Sequence, residues 1–161
     1  FLTTNYDGPD SVVRAVESQL SAVQVEGMGL ALEAPLEVPI QGPTLLGGIT
    51  SATVRVSRPV PFIVLKALAF HTRLEGKDAN DLVYVLRYAD RSPAAVAGRV
   101  TDYERKSDAF IHALNTLKAD FESPSHTGPA RYARFLPNEP DAPMQAFAAV
   151  QEFLTALSKG S

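Results

Sequence analysis

The chain has 161 residues, 45% of them hydrophobic, so it holds enough apolar material for one domain with a buried core. A net charge of −3 gives no global basic field, which argues against sequence-independent wrapping of nucleic acid but not against a local basic patch. There is no cysteine, which excludes disulfides, thiolate zinc sites and thiol catalysis.

In chain order, Phe1–Tyr6 reads as a short strand closed by the Asp7-Gly8-Pro9 turn. Asp10 or Ser11 then caps a helix through about Ser21, with Val12, Val13, Val16 and Leu20 as its apolar stripe. Residues 25–43 read as extended, with Met28, Leu30, Leu32 and then Leu36, Val38, Ile40 alternating. Turns are expected at Gln41-Gly42-Pro43 and at Gly47-Gly48. Thr50–Val56 carries the clearest strand pattern, Ala52, Val54 and Val56 facing one way and Thr53 and Arg55 the other.

After Pro59 the pattern becomes helical. On a helix starting near Pro61, Phe62, Lys66, Ala69 and Arg73 share one face, and the remainder is apolar nearly all round. Gly76 suits the left-handed residue that ends such a helix. Asp78 then fits the N-cap of a second helix and Asp81 its N3 position. Ser92-Pro93 opens a short helix to about Arg99. Thr101 and Glu104 form a capping box for a long helix to about Phe121, with Tyr103, Phe110, Leu114, Leu117 and Phe121 as its core stripe. Residues 122–143 are loop-rich, with a turn or two of helix at Ala130–Leu136, and a last helix runs from about Ala142 to Leu157.

Strands first and helices afterwards indicate an α+β fold: a β-rich part over residues 1–58 and a helical part over 59–161. No apolar run approaches a membrane span and the start lacks a secretory signal, so a cytoplasmic protein with no membrane partner is expected.

The chemistry concentrates between residues 54 and 88. Two cations, Lys66 and Arg73, sit on an otherwise apolar helix, and Asp78 and Asp81 open the next one. Charge in such places must be paired, solvated or used. A purely structural account is available for each: Asp78 as cap, Asp81 as a first-turn acid facing the helix dipole, Lys66 reaching to the surface and Arg73 capping carbonyls. If the two helices share a site instead, Lys66 Nζ and an Asp81 oxygen should lie within direct or one-water reach.

Elsewhere the signals are weaker. His71, His112 and His126 show no H-x-x-x-H pair, so a zinc site is not expected and solvated or locally bonded histidines are. The glycines at 27–29 and 42–48 lack the remaining residues of a dinucleotide loop or a P-loop. Arg131-Tyr132-Ala133-Arg134-Phe135 interleaves cations with aromatics, which suits a phosphate and a base or merely an anchored surface loop. Arg87, Arg91, Arg99, Arg105 and Lys106 concentrate positive charge on the helical part, as a weak RNA-facing patch or a solvated face.

Taken together, Val56-Ser57-Arg58-Pro59, Leu65-Lys66-Ala67-Leu68-Ala69, Arg73 and Lys77-Asp78-Ala79-Asn80-Asp81-Leu82 resemble, in order and spacing, the later half of AbiEii-like minimal nucleotidyltransferases. That family includes toxins of bacterial toxin–antitoxin systems. The likeness spans residues 50–90, roughly a quarter of the chain. It implies that the β-rich part is the remnant of a nucleotidyltransferase-like sheet and that the protein moves a nucleotide from an NTP to an acceptor, plausibly RNA. It implies catalytic roles for Lys66 and Asp81, phosphate contacts for Arg73 and Lys77, and a capping or supporting role for Asp78. It further implies Mg²⁺ as cofactor and a cognate antitoxin as a possible protein partner.

The departure from the family lies upstream. Such enzymes carry a G-S-x…D-x-D element whose aspartates hold Mg²⁺. Before Val54 the acids are Asp7, Asp10, Glu17, Glu26, Glu33 and Glu37, and none is spaced as D-x-D. A third carboxylate is expected on a strand such as Leu36–Ile40, where Glu37 is a weak candidate and Pro39 stands at the anticipated position. Either the chain is the later portion of a longer protein, which Phe1 in place of an initiator Met favours, or catalysis has been lost and a non-catalytic protein-interaction module remains.

Overall fold

The computed structural model describes Leu2–Thr3, Val13–Glu17 and residues 20–160, with side chains described from residue 23 onward. The fold is α+β. Three strands come first: β1 (Leu2–Thr3), β2 (Val13–Glu17) and β3 (Leu20–Gln24). β3 lies in the middle, parallel to β1 and antiparallel to β2, with Val13 opposite Val23 and an irregularity between Ala15 and Glu17. The helix expected through Ser21 is therefore a pair of strands over its described part. Its β-branched valines suit a strand as well as a helix face, and β1 supplies the partner that makes a sheet. The rest of the expected strand and turn at the start lies outside the described residues.

A short helix, α1 (Met28–Leu32), follows, entered through Gly27 at φ 79°. This corrects the extended reading of residues 25–35. Gly27 is suited to its place twice over: its φ is left-handed, and a Cβ there would lie 3.3 Å from Val64 Cγ1. Strands β4 (Leu36–Pro43) and β5 (Ile49–Val56) then form an antiparallel hairpin in register from Leu36–Val56 to Pro43–Ile49. Gly42 and Pro43 belong to β4 rather than to a turn. The reversal falls at residues 44–48, where Thr44 Oγ1 donates to the Gly47 carbonyl at 2.8 Å and Gly47 and Gly48 adopt positive φ. Cross-strand neighbours share a face, so Leu36, Val38, Ile40, Val54 and Val56 make an apolar side. Leu36, Val38, Ile40 and Val56 remain exposed, as do Leu45 and Leu46 at the tip.

Helices make up the rest: α2 (Pro59–Arg73), α3 (Gly76–Tyr88), α4 (Pro93–Ala97), α5 (Asp102–Arg105), α6 (Asp108–Asp120), α7 (Thr127–Phe135) and α8 (Ala142–Lys159). Pro59 occupies N1 of α2, where its missing N–H costs nothing. The core is the space these helices enclose, with Val60, Ile63, Val64 and Phe70 from α2, Leu82, Val83 and Leu86 from α3, and Phe121, Val150 and Phe153 from later elements. Ser92 caps α4 by accepting from Ala95 N at 3.1 Å.

The long helix expected from Thr101 is two helices. The capping box forms: Thr101 Oγ1 accepts from Glu104 N at 3.2 Å, and Glu104 Oε2 accepts from Thr101 N at 2.7 Å. Glu104 is fully buried, and its other oxygen meets Arg58 Nη2 at 2.8 Å, tying the entry of α2 to α5. The chain then leaves helical geometry at Ser107 (ψ 132°) and restarts as α6, which packs Ala109, Phe110 and Ala113 into the core beside α2. This break takes Tyr103 out of register with the stripe, so it is exposed rather than buried.

Candidate functional site

The α2–α3 corner is built from three local features. Leu74, at φ 54°, is the left-handed residue that ends α2, its N–H bonded to the Phe70 carbonyl at 2.7 Å. Gly76 was the expected terminator, but it is instead the first residue of α3. A side chain there would bring Cβ to 3.0 Å from the Arg131 carbonyl oxygen on α7, so glycine is required by close approach, not by φ. Glu75 is the N-cap, without a side-chain capping bond, which moves Asp78 from the expected N-cap to the third residue of the helix.

That shift changes what Asp78 does. Its side chain points inward, only 1% exposed, between the two cations of α2. Arg73 grips it with two parallel bonds, Nε to Oδ2 at 2.6 Å and Nη2 to Oδ1 at 2.9 Å. Lys66 Nζ donates to Asp78 Oδ1 at 3.0 Å and to Asp81 Oδ2 at 2.7 Å. The Lys66–Asp81 pair thus meets by direct contact. Spacing explains the convergence, since Lys66 and Arg73 lie two turns apart on one stripe of α2, while Asp78 and Asp81 lie one turn apart on α3. Phe62, one turn earlier on the same stripe, sets its ring 5.5 Å from Lys66 Nζ and adds a cation–π contact.

Burial and pairing oppose each other here, and pairing wins. For Asp78, burial pushes the carboxyl upward, but the bonds and charges of Arg73 and Lys66 outweigh it and hold the group below its ordinary value. For Lys66, burial pulls downward, and the bonds to Asp81 and Asp78 outweigh it, leaving the ammonium above its ordinary value. Arg73 is raised by its bonds to Asp78, against a smaller effect of burial. Pairing thus favours the charged forms of Lys66, Arg73 and Asp78.

The exposure of its members is unequal. Lys66 (20%) and Asp81 (26%) retain solvent contact, and Arg73 (59%) keeps its outer edge open, whereas Asp78 has none. A ligand approaching this corner meets an ammonium, a guanidinium edge and one accessible carboxylate. That combination can neutralise a phosphate and orient a hydroxyl. Lys77 is exposed and stands outside this network. Glu37 lies on β4 opposite Arg55 of β5.

The Mg²⁺ that the resemblance implies finds no counterpart among the described residues, where no three of His, Cys, Asp or Glu are grouped to hold a metal ion. Asp78 and Asp81 are committed to Lys66 and Arg73, and cations that close compete with a divalent ion. These residues do not fit a magnesium site.

Of the other basic groups, Arg87 bonds Gln145 at 2.7 Å and Arg99 bonds Asp90 at 2.7 Å. In the Arg131–Phe135 cluster Tyr132 is buried, while Phe135 is half exposed. No helix among the described residues is long and apolar enough to cross a membrane. Comparison with protein-family models, with curated proteins and with solved structures finds no match for this chain.

Proposed function

We propose that this chain is the later portion of a nucleotidyltransferase-like protein that transfers a nucleotide from an NTP to an acceptor, plausibly RNA, in a cytoplasmic toxin–antitoxin setting. The observation that carries the reading is Lys66, held between Asp78 and Asp81 at 3.0 and 2.7 Å while keeping contact with solvent. Lys66 is positioned by a buried carboxylate and shares an accessible one.

In this reading Lys66 contacts the triphosphate and neutralises charge that builds on the leaving pyrophosphate. Asp81, the accessible acid, orients the acceptor hydroxyl or trades its bond to Lys66 for one to the acceptor. Asp78 and Arg73 hold Lys66 in place, a positioning role for Asp78 that goes beyond capping, and the open edge of Arg73 adds a second phosphate contact. Lys77 contributes only long-range charge. Metal chemistry is assigned to no residue described.

The test is titration of the chain with NTP, followed by NMR. Expected are shifts at residues 66–81, weakening as salt rises, and their loss in Lys66→Ala with folding retained. Absence of any shift near residues 66–81 would overturn the phosphate site.

A second reading, a non-catalytic module binding a protein such as an antitoxin, is favoured by one observation: the exposed apolar side of the β4–β5 hairpin and its tip, where Leu45 and Leu46 are fully exposed. Charge-reversal of the α2–α3 corner with unimpaired biological effect would favour it.

A further inference from the structure

Beside the ion cluster lies a cleft of about 360 Å³, within the size range of small-ligand sites. Its floor is apolar: Val23 at the end of β3, Val25, and Leu65, Leu68 and Ala69 of α2. Its rim carries His71, Thr72, Arg73, His112 and Glu26. The two imidazoles come from α2 and α6, and their ring centroids are 6.5 Å apart with the planes at 75°.

Both histidines are half exposed, in keeping with the solvated residues expected from the sequence, but each is also bonded to an acid distant in the chain. His71 Nδ1 is 2.9 Å from Asp120 Oδ2, and His112 Nδ1 is 3.0 Å from Glu26 Oε2. A carboxylate oxygen facing a ring nitrogen accepts from it, so each Nδ1 carries the bonding hydrogen, and neither Nε2 bonds to any of the described residues. Each ring is thus fixed in orientation by a residue far away in sequence while remaining about half exposed, His71 at 48% and His112 at 50%. Fixed, partly exposed aromatic rings over an apolar floor cost little ordering when a flat ligand stacks on them.

The cleft and the ion cluster are continuous. Arg73 lines the cleft and grips Asp78, and Ala69 lies on the Lys66–Arg73 stripe while also lining the cleft floor. Arg73 is thus common to the cleft and to the cluster that holds Lys66. We infer that this cleft receives a nucleobase, stacked against His71 or His112 over the Leu65–Leu68 floor, with its phosphate-bearing end directed past Arg73 to Lys66. The imidazole Nε2 atoms and Glu26 provide the hydrogen-bonding groups at the base edge. The inference rests on the reading of Lys66 as a phosphate contact for the direction of the ligand, but not for the base site itself. The base comes either from the NTP or from the end of the acceptor strand.

The experiment exploits the three histidines, whose ring proton signals can be followed separately, with His126, which does not line the cleft, as internal control. The four NTPs, a single-stranded RNA trinucleotide, the four nucleosides and inorganic tripolyphosphate are titrated in turn. Expected are shifts of His71 and His112 with at least one nucleoside and with the matching NTP or the trinucleotide, and none with tripolyphosphate. A response to NTP assigns the base to the NTP; a response to the trinucleotide alone assigns it to the acceptor. His71→Ala and His112→Gln, checked for unchanged melting, should weaken binding of the responding ligand roughly ten-fold, the scale of losing one stacked base, and leave tripolyphosphate binding as it was. Silence of both rings towards every base-containing ligand overturns the inference. If the rings respond while Lys66→Ala leaves NTP affinity unchanged, the phosphate role of Lys66 falls and the base site stands.

Discussion

Arg73 and Asp78 close the α2–α3 corner through two parallel hydrogen bonds, Nε to Oδ2 at 2.6 Å and Nη2 to Oδ1 at 2.9 Å. Asp78 is buried and Arg73 is not, so the pair fastens an exposed cation to an interior anion. The same anion receives Lys66. Removing it leaves Arg73 without its carboxylate and Lys66 with Asp81 alone, whereas removing Arg73 leaves Asp78 its bond to Lys66.

Asp78→Ala is therefore expected to cost about 1.5–3 kcal/mol, the scale of lost hydrogen bonds to charged groups, and more than the ~1 kcal/mol of losing an N-cap, with both cations still reaching solvent or Asp81. Arg73→Ala should cost less. Urea denaturation of the two variants gives the comparison, and equal losses would show that burial of Asp78 does not govern the corner.

Asp81 is the accessible partner, and Asp81→Asn should change stability by only a few tenths of a kcal/mol, the low end of a first-turn charge effect. In an NTP-transfer assay on the full-length protein the same change should remove most activity, because orientation of an acceptor hydroxyl needs the anionic form. Label transfer from radioactive NTP measures this. Undiminished transfer would reduce Asp81 to a helix-end acid.

The pH dependence follows from the direction of the two shifts. Asp78 is held below its ordinary value, so its contribution to stability is complete above about pH 4, the ordinary aspartate range, and is lost as pH falls through the lower folded value. Lys66 is raised, so its contribution is complete below about pH 10, the ordinary lysine range, and is lost as pH rises through the folded value. Melting temperature should thus fall at both ends, and Asp78→Asn should flatten the acid limb. An acid limb of the same slope in that variant would assign acid unfolding to other carboxylates.

Glu104 is the buried link between α5 and the start of α2. Glu104→Gln keeps an acceptor for the Thr101 N–H but removes the charge facing Arg58, while Glu104→Ala removes both. The alanine variant should lose about 3 kcal/mol and the glutamine variant less. Equal melting of the two would mean that the Arg58 ion pair is nearly the whole contribution and that the bond to Thr101 N–H adds little.

Gly128 at the start of α7 leaves no room for a side chain. A Cβ would lie 2.6 Å from Phe121 Cε2 and 2.8 Å from the Asp120 carbonyl oxygen. The carbonyl cannot rotate away, so Gly128→Ala is expected to cost about 1–3 kcal/mol, as overpacking of a tight contact does. Calorimetry checks this, and an unchanged melting temperature would show that α7 slides to make room.

Much of the helical half was legible in the sequence by itself, because its signals act within one turn. Ser92 with Pro93 before α4 and the Thr101–Glu104 box satisfy backbone groups a few residues away, and each is found in its place, while α2 begins at Pro59, two residues before the expected Pro61. The sharing of a stripe by Phe62, Lys66 and Arg73 likewise follows from helical period alone. Tertiary structure decided the rest. Valines at 13 and 16 suit a strand or a helix, and only pairing of β3 with β1 and β2 makes the choice. Asp78 is written as a cap and becomes an interior anion because the left-handed turn falls at Leu74, two residues before the glycine that local rules favour. His71 and His112 are 41 positions apart and each is fixed by an acid remote from it in sequence, so no spacing announces them. Hydrogen bonds between turns and caps are local, whereas burial of a charge and the meeting of two rings depend on how α2, α3 and α6 pack.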